Sequence, residues 1–181
     1  MADVSVRAAR AEDVSEIARI QVDTWRSAYT SVLPEPVLAD LSVDAAQRAW
    51  RTAIEEPPTE YHHVLVAQEQ RWVVGFAALR PVDETEVGLP DARSSTNLGP
   101  LIVEPRWGRR GHGSRLLAAA VDHARADGVT HMITWVPSGD GPSLSFFRSA
   151  GWATDGYARG LETGAGEVRE LRLHVSLETA P

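Results

Sequence analysis

The chain has 181 residues, of which 43% are apolar and 24% charged, with a net charge of −7 and no cysteine. That composition suits a folded globular protein with one sizeable core. It excludes disulfides, thiolate metal ligands and a cysteine nucleophile, and its acidic balance argues against a nucleic-acid partner. All 18 basic residues are arginines, so no lysine can serve as nucleophile, Schiff base or general base. No apolar run reaches the roughly 18 residues of a membrane span, and no basic-then-apolar leader opens the chain. The expectation is a single domain over residues 1–181, cytoplasmic, with no membrane partner.

In chain order, Val4 to Arg7 reads as a strand. Apolar residues from Val14 to Tyr29 recur at helical spacing and predict a helix over about 11–29. Leu33-Pro34-Glu35-Pro36 interrupts it. A second helix is predicted over 43–55, capped by Ser42 and stopped by Pro57-Pro58. Val64–Ala67 and Trp72–Leu79 read as strands joined by a turn at 68–71. A long polar loop from Pro81 to Ser95 leads into a strand over 97–103. A glycine-rich segment, Gly108 to Gly113, opens a helix over 114–127, with Gly128 suited to its C-terminal cap. A strand over 132–136 and a helix over 143–150 follow. Two strands, 152–161 and 168–177, close the chain across Gly164-Ala165-Gly166. In the last, Leu171, Leu173, Val175 and Leu177 alternate with Arg172, His174 and Ser176, the pattern of a half-buried strand. The order predicts an α/β (α+β) domain with a mixed sheet flanked by helices.

The informative run is Leu101 to Leu117. An apolar strand ends at Pro105, and a glycine turn opens directly into an Ala- and Leu-rich helix. The first N–H groups of a helix have no internal partner and its dipole is positive there, so this junction suits a phosphate or pyrophosphate. Arg106, Arg109, Arg110 and Arg115 add positive charge with no acid among them. Two other phosphate motifs fail. Gly111-His112-Gly113-Ser114-Arg115-Leu116 lacks the third glycine of a dinucleotide fingerprint, and a Walker loop needs the absent lysine.

These residues resemble the GNAT acyltransferases. Their signature, Gln/Arg-x-x-Gly-x-Gly/Ala after a strand ending Val-x-Pro, is matched by Val103-Glu104-Pro105 and Gly111-x-Gly113, with Gly108 in place of the Gln/Arg. The later pattern Asn-x-x-Ala-x-x-Phe-Tyr-x-x-x-Gly-Phe keeps its spacing from Asp140 to Trp152. Thr24 to Tyr29, Leu33-Pro34 and Arg48 to Arg51 also look like a bacterial branch of that superfamily, so the resemblance spans the chain.

The resemblance implies a mostly antiparallel sheet with acyl-CoA lying at a splay between two central strands. Leu101, Ile102 and Val103 would meet the pantetheine and hold the thioester carbonyl, stabilising the oxyanion. The amides of Arg109, Arg110, Gly111, His112, Gly113 and Ser114 would take the pyrophosphate, and Arg106, Arg110 or Arg115 the 3′-phosphate. Asp140, Phe146 and Phe147 fall in the later CoA motif, and Trp25 and Tyr29 either border the acceptor pocket or belong to the core. Relatives often take the amine proton on a strand Glu and protonate the thiolate with a late Tyr. Asn97 and Phe147 stand there, and neither can do so. Glu86 and Asp91, with Glu84, are the nearby loop carboxylates, either candidate bases or solvated charges. The implied activity is acetyl transfer from acetyl-CoA to a primary amine: a small molecule, an amino acid or a peptide N-terminus. The alternative is a non-catalytic acyl-CoA-binding module. The histidines show no metal-ligand spacing, so no metal is expected. Dimers are frequent in the superfamily, so a homodimer is a possible assembly.

Overall fold

The computed structural model describes residues 4–83, 86, 88 and 94–178. Within them, seven strands form one sheet: β1 (Val4–Ala8), β2 (His63–Glu69), β3 (Trp72–Pro81), β4 (Ser95–Val103), β5 (His131–Pro137), β6 (Ala153–Glu162) and β7 (Glu167–Ser176). Their spatial order is β1-β2-β3-β4-β5-β7-β6. All neighbours run antiparallel except β4 and β5, which are parallel. The helices among these residues are α1 (Val14–Ala28), α2 (Glu35–Ala39), α3 (Val43–Glu55), α4 (His112–Ala126) and α5 (Gly141–Ser149).

Two apolar clusters sit on opposite faces of the sheet. Val14, Ile17 and Ile20 of α1 and Trp50 of α3 pack on Val66, Phe76 and Ile102. Leu116 and Ala120 of α4 and Leu144 and Phe147 of α5 pack on Leu65, Ala77, Leu98 and Met132. The one-sided apolar spacing of α1 follows from this packing, because only one stripe meets the sheet. Ser42 Oγ accepts the Ala45 N–H at 3.3 Å, which makes it the expected cap of α3.

Three expectations need correction. The Leu33–Pro36 break contains the start of α2: Pro34 precedes its first residue and Pro36 lies in the first turn, where a missing N–H costs nothing. The first helix begins with a 3-10 turn at Ala11–Asp13 before α1 proper. Arg172, read as an outward residue of the last strand, is fully buried.

The feature that positions the site is the central parallel pair. β4 and β5 are in register only at Ser95↔His131, Thr96↔Met132 and Asn97↔Ile133. On the other side of β4, Ala77 pairs with Leu101 and Leu79 with Leu98, so Gly99 and Pro100 together oppose Ala78. Such a bulge bends its strand and raises the local twist. Beyond Asn97 and Ile133 the two strands separate, and the backbone of β4 loses its strand partner on that side.

Candidate active site

A cavity of about 350 Å³ lies in the separation between the strands. Leu98 to Ile102 of β4 form one wall and Thr134 to Pro137 of β5 the other. Trp25, Tyr29, Leu33 and Val37 close it from the α1–α2 side, and Asp140, Ser143 and Phe147 from α5. Leu101, Ile102, Asp140, Phe147, Trp25 and Tyr29 of the sequence-predicted set therefore share one cavity.

The glycine turn stands at the end of β4. Pro105–Trp107 make a 3-10 turn, and α4 begins at His112, two residues earlier than the sequence predicts. Gly111 has φ +82°, a left-handed conformation that glycine adopts without penalty. Arg109 is also left-handed, at φ +61°. The N–H groups of His112, Gly113 and Ser114 have no acceptor among the described residues. A Cβ on Gly113 would lie 3.4 Å from the Phe146 ring and 3.8 Å from Val103, so the first turn of α4, the end of β4 and α5 meet there.

The arginines of the turn differ in their commitments. Arg106 pairs with Glu104 at 2.8 Å, Arg110 pairs with Glu69 at 3.3 Å, and Arg115 donates to the Arg110 carbonyl at 2.9 Å. Arg109 is exposed and makes no side-chain hydrogen bond or ion pair with the described residues. His112 is 1% exposed, and its Nε2 lies 2.8 Å from Glu69 Oε2. Its side chain thus anchors the turn to β2. Glu104 is buried between Arg19 of α1, at 2.9 Å, and Arg106. Burial alone would raise the Glu104 pKa, but hydrogen bonding and charge from Arg19 and Arg106 outweigh it and hold the carboxyl below its ordinary value.

Asp140 caps α5, accepting the Ser143 N–H at 3.1 Å through Oδ1. Its Oδ2 accepts the Tyr29 O–H at 2.8 Å. Burial, and then the Asp140 carboxylate, push the Tyr29 phenol well above its ordinary pKa. Three charged residues the sequence reading missed also line the cavity: Arg80 of β3, Arg159 and Glu170. Glu170 of β7 is buried and accepts from Arg159 Nε of β6 at 2.7 Å, with the Arg159 guanidinium 4.3 Å from the Trp135 ring centre. Extending the polar register of β7 back from Arg172 by two positions would have found Glu170.

Of the loop carboxylates Glu84, Glu86 and Asp91, Glu86 is the one among the described residues. Glu86 pairs with buried Arg172 at 3.1 Å, beside Asp155 at 2.6 Å, and is not among the described residues lining the cavity. The Arg172 charge needs that partner in a dry setting. Asp91 and Glu84 lie outside the described residues. Asn97 and Phe147 both line the cavity wall without a proton-transferring group. Among the described residues no group of three or more His, Asp or Glu could hold a metal, and no helix is long and apolar enough to cross a membrane.

Residues 16–152 match the model of the acetyltransferase (GNAT) family. The chain is 29% identical over 147 residues to the uncharacterised N-acetyltransferase YuaI of Bacillus subtilis (strain 168), covering 81% of this chain and 78% of that one. Solved structures that share its fold include two that hold cofactor. One is yncA of Salmonella typhimurium with its cofactor acetyl-CoA, with a TM-score of 0.73, 19% identity, and 99% and 96% of the two chains covered. The other is the paia N-acetyltransferase of Thermoplasma acidophilum in complex with coenzyme A, with a TM-score of 0.76, 14% identity, and 96% and 99% covered. The family match spans well over half of the chain and takes in the strand edge, the glycine turn and α5. The chain belongs to the acetyltransferase (GNAT) family, and its activity is acetyl-CoA-dependent acyl transfer.

Proposed function

We propose that the chain moves the acetyl group of acetyl-CoA onto the nitrogen of a primary amine by direct attack on the thioester. The observation that carries this reading is the junction of two features in one place: a β4 edge without a strand partner, and a helix start with three unsatisfied N–H groups. Backbone from Leu98 to Val103 would meet the pantetheine arm, and the amides from Arg109 to Ser114 the pyrophosphate. Arg109, the turn arginine with neither an ion pair nor a side-chain hydrogen bond among the described residues, is available to a further phosphate without breaking an existing contact. The rest of the cavity, walled by Trp25, Tyr29, Trp135 and Leu33, would receive the amine.

A binding-only reading rests on Asn97 and Phe147, which carry no transferable proton. Turnover separates the two. The first experiment is thermal unfolding with and without acetyl-CoA. Saturation at about 100 times Kd should stabilise the fold by about 2.7 kcal/mol, a rise of roughly 5–11 °C for a chain of this size. A panel of amines, amino acids and short peptides is then scored by thiol release, with no background because the protein has no cysteine. No rise at millimolar acetyl-CoA would refute the cofactor site, and a rise without release from any amine would favour binding alone.

A further inference from the structure

From the contact between α1 and α5, and resting on the amine-acetylation reading above, we infer that Tyr29 and Asp140 together carry the proton of the reaction, in place of the strand carboxylate and late tyrosine that this chain lacks. The two groups sit in the cavity between the separated strands, within 2.8 Å of each other, and come from opposite sides of it. Asp140 is 9% exposed and has no ion pair among the described residues, so its charge is met by two hydrogen bonds, from Tyr29 and from the Ser143 N–H. Glu170, the other carboxylate among the described residues that line the cavity, is neutralised by Arg159.

The charge environment of the pair is defined. Tyr29 is faced by Asp140 and Ser143 of α5 and by Glu170 of β7, whose partner Arg159 comes from β6; Arg80 of β3 lies on the same wall. Asp140 and Glu170 both oppose a phenolate, so Tyr29 enters the reaction protonated. In the proposed step the amine nitrogen bonds to the acyl carbon, the carbon–sulfur bond breaks, and its electron pair stays on sulfur. The Asp140 carboxylate takes the proton leaving nitrogen. The Tyr29 hydroxyl gives its proton to sulfur and is reprotonated from Asp140 through the existing hydrogen bond. For an amine that enters neutral, the net change is one proton moved from nitrogen to sulfur, so this step needs no outside acid or base.

The test combines a titration with kinetics on Tyr29→Phe and Asp140→Asn. Asn caps a helix as well as Asp does, so the second variant keeps α5 while removing the charge. The chain has three tyrosines, and their ionisation is followed by ultraviolet absorbance after a rapid jump to alkaline pH, before unfolding. In the wild type, one phenol should lag above the ordinary phenol range near pH ~10. The lagging step should vanish in Tyr29→Phe and move toward the others in Asp140→Asn. With the best amine of the panel, both variants should lose about 10- to 100-fold in kcat and the alkaline shape of the pH profile, while KM for acetyl-CoA changes by less than about twofold. Three phenols ionising together in the wild type would overturn the pairing. Unchanged kcat in both variants would overturn the relay while leaving the acetylation reading intact. Failure of every amine in the wild type would instead sink that reading.

Discussion

At the scale of single residues, Phe147 is the position where sequence and chemistry diverge most. It stands where a proton donor is expected and is 5% exposed, with Phe146 and Trp152 rings at 5.3 and 5.1 Å. Packing of that kind makes it a structural residue of the α5–sheet contact. Phe147→Ala should therefore cost about 3–5 kcal/mol of stability, read as a lowered midpoint in denaturant unfolding. Phe147→Tyr keeps the ring, and its turnover should equal or exceed that of the wild type. In the proposed relay Tyr29 protonates the sulfur, so turnover does not depend on a hydroxyl at position 147. A well-folded Phe147→Tyr that had lost turnover would refute the placement. The residues that carry the site differ in how far sequence exposes them. The glycine turn is legible because its chemistry is local: glycines, arginines and a helix start lie within ten consecutive positions. Glu170–Arg159 and Arg172–Glu86 are not, because each pair closes across strands or over a loop, and spacing along the chain carries no trace of it. Glu86 drew notice through its nearness to β4 in sequence, while its actual partner is 86 positions away.

At the scale of elements, buried ion pairs fasten the helices of one face to the strand ends. Asp13, ahead of α1, is paired with Arg7 of β1 at 2.7 Å. Glu104 joins α1 to the glycine turn through Arg19 and Arg106. Burial works to raise both carboxyl pKa values, and the arginine contacts, aided at Asp13 by the Arg10 N–H, prevail and lower them. A folded pKa below the unfolded one means stability that is complete above the unfolded value and lost as pH falls through the folded one. Glu104→Gln should therefore lower stability by about 1–2 kcal/mol at pH ~7, and the gap to the wild type should close below pH ~4. Midpoints measured between these limits test this, and a gap that persisted unchanged in acid would show that the charge is not the cause. The variant should also weaken acetyl-CoA binding, because the turn loses its tie to α1. Element existence was mostly legible here, since α1, α3 and α4 each show one apolar stripe. The exception, α2, is short, with one proline just before it and one in its first turn, which read as a break when only composition is weighed.

For the whole molecule, the decisive fact is how little joins the two halves of the sheet. β1 to β4 and β5 to β7 form continuous antiparallel ladders, and three parallel residue pairs connect them. The splay was expected from the family resemblance; spacing alone could not reveal it, because it shows strands and not which neighbour each one leaves. The remaining connection runs through side chains: Leu98 and Met132 share a core cluster with α4 and α5, and Tyr29 reaches Asp140 across the cavity. A ligand lying along β4 and against β5 would add a bridge where the ladder is missing, so binding should act on the seam more than on the rims. Hydrogen exchange tests this directly. With saturating acetyl-CoA, peptides covering Leu98–Val103 and His112–Ser114 should exchange more slowly, by roughly tenfold or more where a free N–H gains an acceptor. Peptides from β1, at the sheet edge three places from β4 and away from the cavity, should change little. Equal slowing in β1 would mean that binding stabilises the fold globally and gives no special protection to the seam. No slowing at either segment would remove both the strand edge and the glycine turn from the binding site.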